Sequence, residues 1–515
     1  MENQERRHSF NKNKSFNKFK KRDGRKPFSK NSFERSSNSR SFNDEDTGYR
    51  VFSKDGVREE RYSTNDNRRS NFKRDRFDRH QRFNRDDSFQ NKESFDYKKV
   101  DLDIDYLNLG DGQRRIGFSP FQIRLVQSIL TKCLTEGKSL DKAYAIFFAK
   151  VKLEPIEQGF IIKQINGMFS HLSYYAYIAG LKRPSDFARH INRLIVTFCM
   201  VKGFSIPNLD CEGFDRSGVD KRIKEANEDI LLSQGCPIWL EEQASKELGV
   251  AWAQEREVLA LDARRYIRAN TLKTTRENLG MLLSKEGVVT KPVKGAPIAL
   301  EVTSNSALFR TKAFKDGLFE QQDAGSQLIA PFLDAKPGQR VVDTCAGAGG
   351  KTLHIASIME GKGSILALDT EKWKLDALKK RATRAGAFNI EPRHISSSKI
   401  IKRLYDHADR VLIDAPCSGT GVLRRTVDSK WRDSRASLNE LKEIQADILN
   451  RYSKIAKVGG IVVYSTCSIL PSENREQIDK FLESHKDSYE LIEDKVVLPS
   501  SGFDGFYMAK LKRIA

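Results

Sequence analysis

The chain has 515 residues, with 90 Lys and Arg against 69 Asp and Glu, a formal net charge of +21. That length allows three or four domains at roughly 150 residues each, and the basic excess points to a polyanionic partner, nucleic acid or an acidic membrane surface. No apolar run of about 18 residues and no signal-peptide core occur, so a membrane partner and secretion are not expected; seven cysteines without CxxC or CxxxH spacing argue against a disulfide framework or a metal site and for a reducing, cytoplasmic compartment.

Residues 1–110 read as a disordered basic tail. The first 100 contain neither Leu nor Ile and carry 28 Lys and Arg against 17 Asp and Glu, too little apolar surface to offset the ordering entropy. Single phenylalanines among the charges, such as Phe16, Phe28 and Phe77, suit sequence-independent RNA binding, with bases on the rings and phosphates on Arg and Lys; a solubilising tail is the alternative. A helical domain is expected over 115–203. Ser119-Pro120-Phe121-Gln122 offers a capping box, Leu125, Ile129 and Cys133 follow at four-residue spacing, further helices start near Leu140, Pro155 and Ser185, and Gly180 and Gly203 stop them. Cys133 and Cys199 fall on apolar faces, and His171 and His190 have no partners at ligand spacing. Residues 204–236 read as a linker holding one charged helix.

A small α/β module is expected over 237–322, with a strand at 266–273, a helix capped by Thr274, and short strands from Val288 to Phe319. Basic residues beside it suit RNA docking, although a structural lead-in is nearly as good a reading. From 323 to 515 the pattern becomes β/α: a helix over 326–333 stopped by Pro337-Gly338, a strand at 340–343, the turn Cys345-Ala346-Gly347-Ala348-Gly349-Gly350-Lys351-Thr352 opening a helix, a strand at 365–368 ending in Asp369, and a helix over 372–385 stopped by Gly386. Strand, glycine turn, helix, strand, acid is the layout of a nucleotide-type site, the acid reaching ribose hydroxyls. A P-loop would need glycine where Cys345 stands, and the dinucleotide fingerprint would need it at Thr352. An S-adenosylmethionine site needs only a tight small-residue turn and the acid, which Gly347, Gly349 and Asp369 supply.

Two buried-type strands, 410–413 and 459–464, each lead to a cysteine, in Asp414-Ala415-Pro416-Cys417 and Ser465-Thr466-Cys467-Ser468. Loops at the carboxyl ends of such strands line one crevice, so Cys417 and Cys467 can face one pocket. Carbon-5 of cytosine is too weak a nucleophile to accept a methyl group unaided. A thiolate added at carbon-6 activates it, and the carbon-5 proton must then leave before the thiolate can. The site should lower the attacking thiol's pKa, with Lys351 a nearby cation.

At these residues the chain resembles the RNA cytosine-5 methyltransferases of the RsmB/Nop/Sun type. The matching stretches are 343–352, 414–425 with Lys430-Trp431, and 464–474; the likeness extends through 268–273, 322–327 and 504–507 and covers about 237–515. It implies a Rossmann-like methyltransferase domain with S-adenosylmethionine as cofactor. It makes Cys467 the nucleophile and Cys417 the residue that helps release product, and places Asp414 between cofactor and cytosine and Lys351 beside the base. Residues Cys345, Ala346, Gly347, Ala348, Gly349, Gly350, Lys351 and Asp369 would hold the cofactor. The chain departs from the family at Ala348 and Val427, often proline, and at Ser396-Ser397-Ser398, where an acid or Asn is usual. The implied partner is RNA, ribosomal rather than transfer RNA, read by a monomer without a metal. The alternatives are a transfer RNA methyltransferase and a catalytically idle ribosome assembly factor, whose expected mark, loss of a cysteine or of the acid, is missing here.

Overall fold

The computed structural model describes residues 116–304, 306–431 and 435–515, together with an antiparallel hairpin of β1 (Val51–Ser53) and β2 (Gly56–Arg58). The hairpin falls within the tail expected to be disordered, and the rest of that tail lies outside the described residues. No described helix is long and apolar enough to cross a membrane.

The helical region begins as its sequence dictates. The Ser119 hydroxyl accepts from the Gln122 N–H at 3.2 Å while Gln122 Oε1 accepts from the Ser119 N–H at 3.0 Å, capping the helix Pro120–Leu134. Its Leu125, Ile129 and Cys133 enter a core shared with helices Pro155–Ser170, Leu172–Ile178 and Ile191–Lys202, the last ended by Gly203 at φ 67°. The helix expected from Ser185 is a 3₁₀ turn, Pro184–Ala188, and the α-helix starts only at Ile191. Within 204–236, Val219, Ala226 and Leu232 join this same core, and the phenols of Tyr174 and Tyr177 donate to Asn227 and Glu225. That stretch therefore packs on the bundle.

A small antiparallel sheet of β3 (Arg265–Ala269), β4 (Thr290–Pro292), β5 (Ala299–Val302) and β6 (Phe319–Gln321) follows, ordered β4-β5-β3-β6. The helix Arg276–Lys285 lies on it through Leu279 and Leu283, capped by Thr275 rather than Thr274, since it is the Thr275 hydroxyl that accepts from the Asn278 N–H.

The large sheet comprises β7 (Arg340–Asp343), β8 (Ser364–Asp369), β9 (Ile390–His394), β10 (Ala408–Asp414), β11 (Ala456–Thr466), β12 (Tyr489–Val497) and β13 (Phe506–Arg513). Its order is β12-β13-β11-β10-β7-β8-β9, parallel except that β13 runs against both its neighbours. The apolar runs Val341-Val342 and Val411-Leu412-Ile413 are fully buried, as strands covered on both faces require. This is the expected Rossmann-like α/β fold. Chain order reverses between β7 and β10, so the ligand crevice opens at their carboxyl ends. The helix leading in is a 3₁₀ turn, Ser326–Leu328, continued by Ile329–Leu333, and it stops at Asp334 in the left-handed region (φ 53°), ahead of the Pro337-Gly338 stop expected. Asp is among the few residues that tolerate this conformation.

Candidate active site

The turn after β7 folds back on β8. Ala346 N–H donates to Leu368 O at 2.8 Å, and Gly347 N–H donates to Asp369 Oδ2 at 2.8 Å. Gly347 and Gly349 have φ of 56° and 88°, which glycine adopts at little cost. A Cβ at Gly349 would stand 2.7 Å from Leu378 Cγ, whereas nothing lies within 4 Å of one at Gly347. The turn is therefore closed against the helix Lys372–Ala385 and open toward the crevice. Asp369 Oδ1 accepts from the Glu371 N–H at 2.7 Å, so each carboxylate oxygen has one partner and one lone pair to spare. This open turn with a two-oxygen acceptor beneath it fits the ribose of S-adenosylmethionine. Past β9, Ser396, Ser397 and Ser398 are exposed and offer no carboxylate.

On the other side of the crevice the two cysteines meet. Cys417 Sγ and Cys467 Sγ lie 3.3 Å apart. Lys351, in the first turn of the helix Gly350–Ile358, places Nζ 2.7 Å from Asp414 Oδ2, and the Ser465 hydroxyl donates to Asp414 Oδ1 at 3.0 Å. Burial disfavours the Lys351 charge, yet the Asp414 carboxylate, with Cys467 and Asp343 nearby, holds the ammonium above its ordinary value. Burial raises the Asp343 carboxyl to about 7 against the 2.7 Å hydrogen bond from Thr352. Burial also raises the Cys345 thiol. The Cys417 thiol stands well above the ordinary range, first through its hydrogen bond to Cys467, then through burial and the Glu473 charge. The structure thus brings Lys351, Asp414, Cys417 and Cys467 together, and gathers the glycine turn and Asp369 beside them.

Several supporting residues are assigned no role by the sequence. Arg268, on β3 and buried, donates to Gly350 O at 2.7 Å, and Arg381 donates to Ala348 O at 2.7 Å while pairing with Glu320 on β6. The small module therefore pins the glycine turn from behind. Arg425 pairs with Asp323 at 2.9 Å and with Asp504, and Arg424 pairs with Asp504 at 3.2 Å, so these motif arginines are committed to intramolecular carboxylates. Lys430 is buried, donates to Gly235 O at 2.8 Å, and is brought down to about 8 by that burial. Trp431 donates to Phe169 O in the helical bundle. Only the long-range pattern of partners shows what these residues do.

The model of the family "16S rRNA methyltransferase RsmB/F" matches residues 330–512. Ribosomal RNA small subunit methyltransferase B of Serratia proteamaculans is 33% identical over 308 residues, 58% of this chain and 70% of that protein. Probable ribosomal RNA small subunit methyltransferase B of Synechocystis sp. is 35% identical over 223 residues, 43% of this chain and 50% of that protein. The matched part thus spans between half and seven-tenths of these relatives. Among solved structures, that of PH0851 is 24% identical with a TM-score of 0.66, covering 78% of this chain and all of that one. NSun6 from Pyrococcus horikoshii with SFG is 22% identical with a TM-score of 0.50, covering 54% of this chain and 98% of that one. At those identities the two structures speak for the fold.

Proposed function

This chain belongs to the RsmB/F methyltransferase family, and from that premise we propose that it methylates carbon-5 of a cytosine in RNA, most plainly small-subunit ribosomal RNA. The observation that carries the reading is the 3.3 Å approach of two sulfurs at the carboxyl ends of β10 and β11, across from the glycine turn. S-adenosylmethionine, held by the turn and Asp369, supplies an electrophilic methyl carbon. Cys467, as thiolate, adds to carbon-6 and makes carbon-5 nucleophilic. Once carbon-5 is methylated, its proton is removed, the carbon–sulfur bond breaks, and Cys467 leaves as thiolate. Cys417 serves that release. Its bond to Cys467 is the largest cause of its raised pKa, so conversion of Cys467 to a thioether removes that cause; Cys417 then gives its thiol proton to solvent and, as the thiolate, takes the carbon-5 proton. Lys351 and Asp414 border the place of the base. Bisulfite sequencing of total RNA from cells with and without the protein tests the reading. One cytosine protected only in its presence is expected, in small-subunit ribosomal RNA; protection in transfer RNA would reassign the substrate, and none at all would refute the activity.

A further inference from the structure

The two cysteine loops are gripped by one adjacent pair, Glu473 and Asn474, in the turn after β11. Glu473 is fully buried, and its carboxylate accepts the Ser418 N–H at 2.8 Å, the Gln445 amide at 2.9 Å and the Ser418 hydroxyl. Gln445 also donates to Pro416 O at 2.9 Å, so the backbone on both sides of Cys417 is fixed. Asn474 holds the other loop, accepting from the Thr466 hydroxyl and donating to Ser468 O at 2.9 Å, the residues either side of Cys467. Three donors converge on this one carboxyl group, which accepts at every one of these bonds. Among the described residues no basic side chain forms a salt bridge with Glu473, and Lys351 lies on the Cys467 side.

Resting on the function proposed above, we propose that Glu473 is the positioning residue that gives the two sulfurs different roles: it fixes the Cys417 loop and sets a buried carboxylate behind it, leaving Cys467 as the sulfur that attacks carbon-6. The groups facing Cys417 are Cys467, Glu473 and the buried Tyr464 phenol; those around Cys467 are Cys417 and Lys351, whose own neighbours are Asp414 and Asp343. Negative charge behind Cys417 keeps it a thiol while Cys467 attacks; once Cys467 is committed to carbon and the Cys417 proton has passed to solvent, the same charge makes the Cys417 thiolate the stronger base.

Alkylation by iodoacetamide, followed across pH by mass spectrometry at low conversion, reads both sulfurs in the full-length protein without RNA or cofactor. In the wild type Cys467 should react at least tenfold faster than Cys417 at pH 7. Glu473→Gln is isosteric and can keep its carbonyl toward the Ser418 N–H and the Gln445 amide, so it removes charge more than grip. It should lower the pH midpoint of Cys417 by about one unit or more and leave that of Cys467 nearly unchanged, with Glu473→Asp close to wild type. An unmoved Cys417 midpoint in Glu473→Gln would overturn the assignment. Should that variant not fold, equal or faster alkylation of Cys417 in the wild type overturns it instead. Because the assay contains no RNA, normal alkylation without methylated cytosine would sink the function and spare this assignment, whereas normal methylation with an unmoved midpoint would do the reverse.

Discussion

Replacing Asp369 with Ala tests whether one carboxylate both shapes the glycine turn and receives the cofactor. Its two oxygens accept the Gly347 and Glu371 N–H groups at 2.8 and 2.7 Å, and each keeps a lone pair beyond these bonds. Hydrogen bonds to a charged group contribute about 1.5–3 kcal/mol each. Water can reach Gly347 from the crevice and replace part of what is lost within the protein, so unfolding stability should fall by about 1–3 kcal/mol. The ribose contacts are lost outright, which weakens S-adenosylmethionine binding roughly tenfold to a hundredfold. Asp369→Asn should fall between, since its carbonyl can accept one N–H while its amide faces the other donor. Calorimetric titration of S-adenosylmethionine, paired with urea unfolding of the same samples, separates the two effects. A folded Asp369→Ala that binds the cofactor as tightly as the wild type would refute the reasoning and move the site elsewhere.

The two glycines of the turn should fail differently. Gly349→Ala drives a Cβ to 2.7 Å from Leu378 and should lower unfolding stability by about 1–3 kcal/mol. Gly347→Ala meets nothing within 4 Å, so it should cost only the left-handed strain of about 1–2 kcal/mol while losing cofactor affinity out of proportion; equal behaviour in denaturation and titration would contradict the open-turn geometry. Lys430 gives a pH signature. Its folded value of about 8 lies below the ordinary 10.5, so the unfolded chain binds more protons between those values and the Lys430 contribution to stability rises with pH from about 8 to 10.5. Urea unfolding of wild type and Lys430→Met at pH 7.5 and 10 should show the difference between them shifting in favour of the wild type at the higher pH, and a pH-independent difference would refute it.

The sequence made legible what local chemistry decides. The Ser119 capping box, the helix Lys372–Ala385 with its Gly386 stop, and the strand-end placement of Asp369, Asp414 and Cys467 all follow from spacing, turn residues and β-branched runs. The helix bounds 326–333 are those expected, while the local signals that set the ends differ: Asp334, not Pro337-Gly338, stops that helix, and Thr275, not Thr274, caps Arg276–Lys285. The supports of the site were illegible for a different reason. Arg268, Arg381 and Glu473 reach side-chain or backbone partners at least 28 residues away in sequence, and nothing near them in the chain marks which carbonyl or amide they will meet. Lys430 stands in a stretch that matches the family, and its burial comes from tertiary packing.

The most direct test of the account separates the two cysteines on a denaturing gel after incubation with RNA and S-adenosylmethionine. Cys417→Ala leaves addition and methyl transfer intact but impairs removal of the carbon-5 proton, so it should accumulate a slow-migrating, ribonuclease-sensitive protein band. Cys467→Ala should give no such band, and the double variant should match Cys467→Ala, because the trap requires the nucleophile. A band from Cys467→Ala and none from Cys417→Ala would contradict the assignment, and no band from either would contradict the two-cysteine mechanism itself.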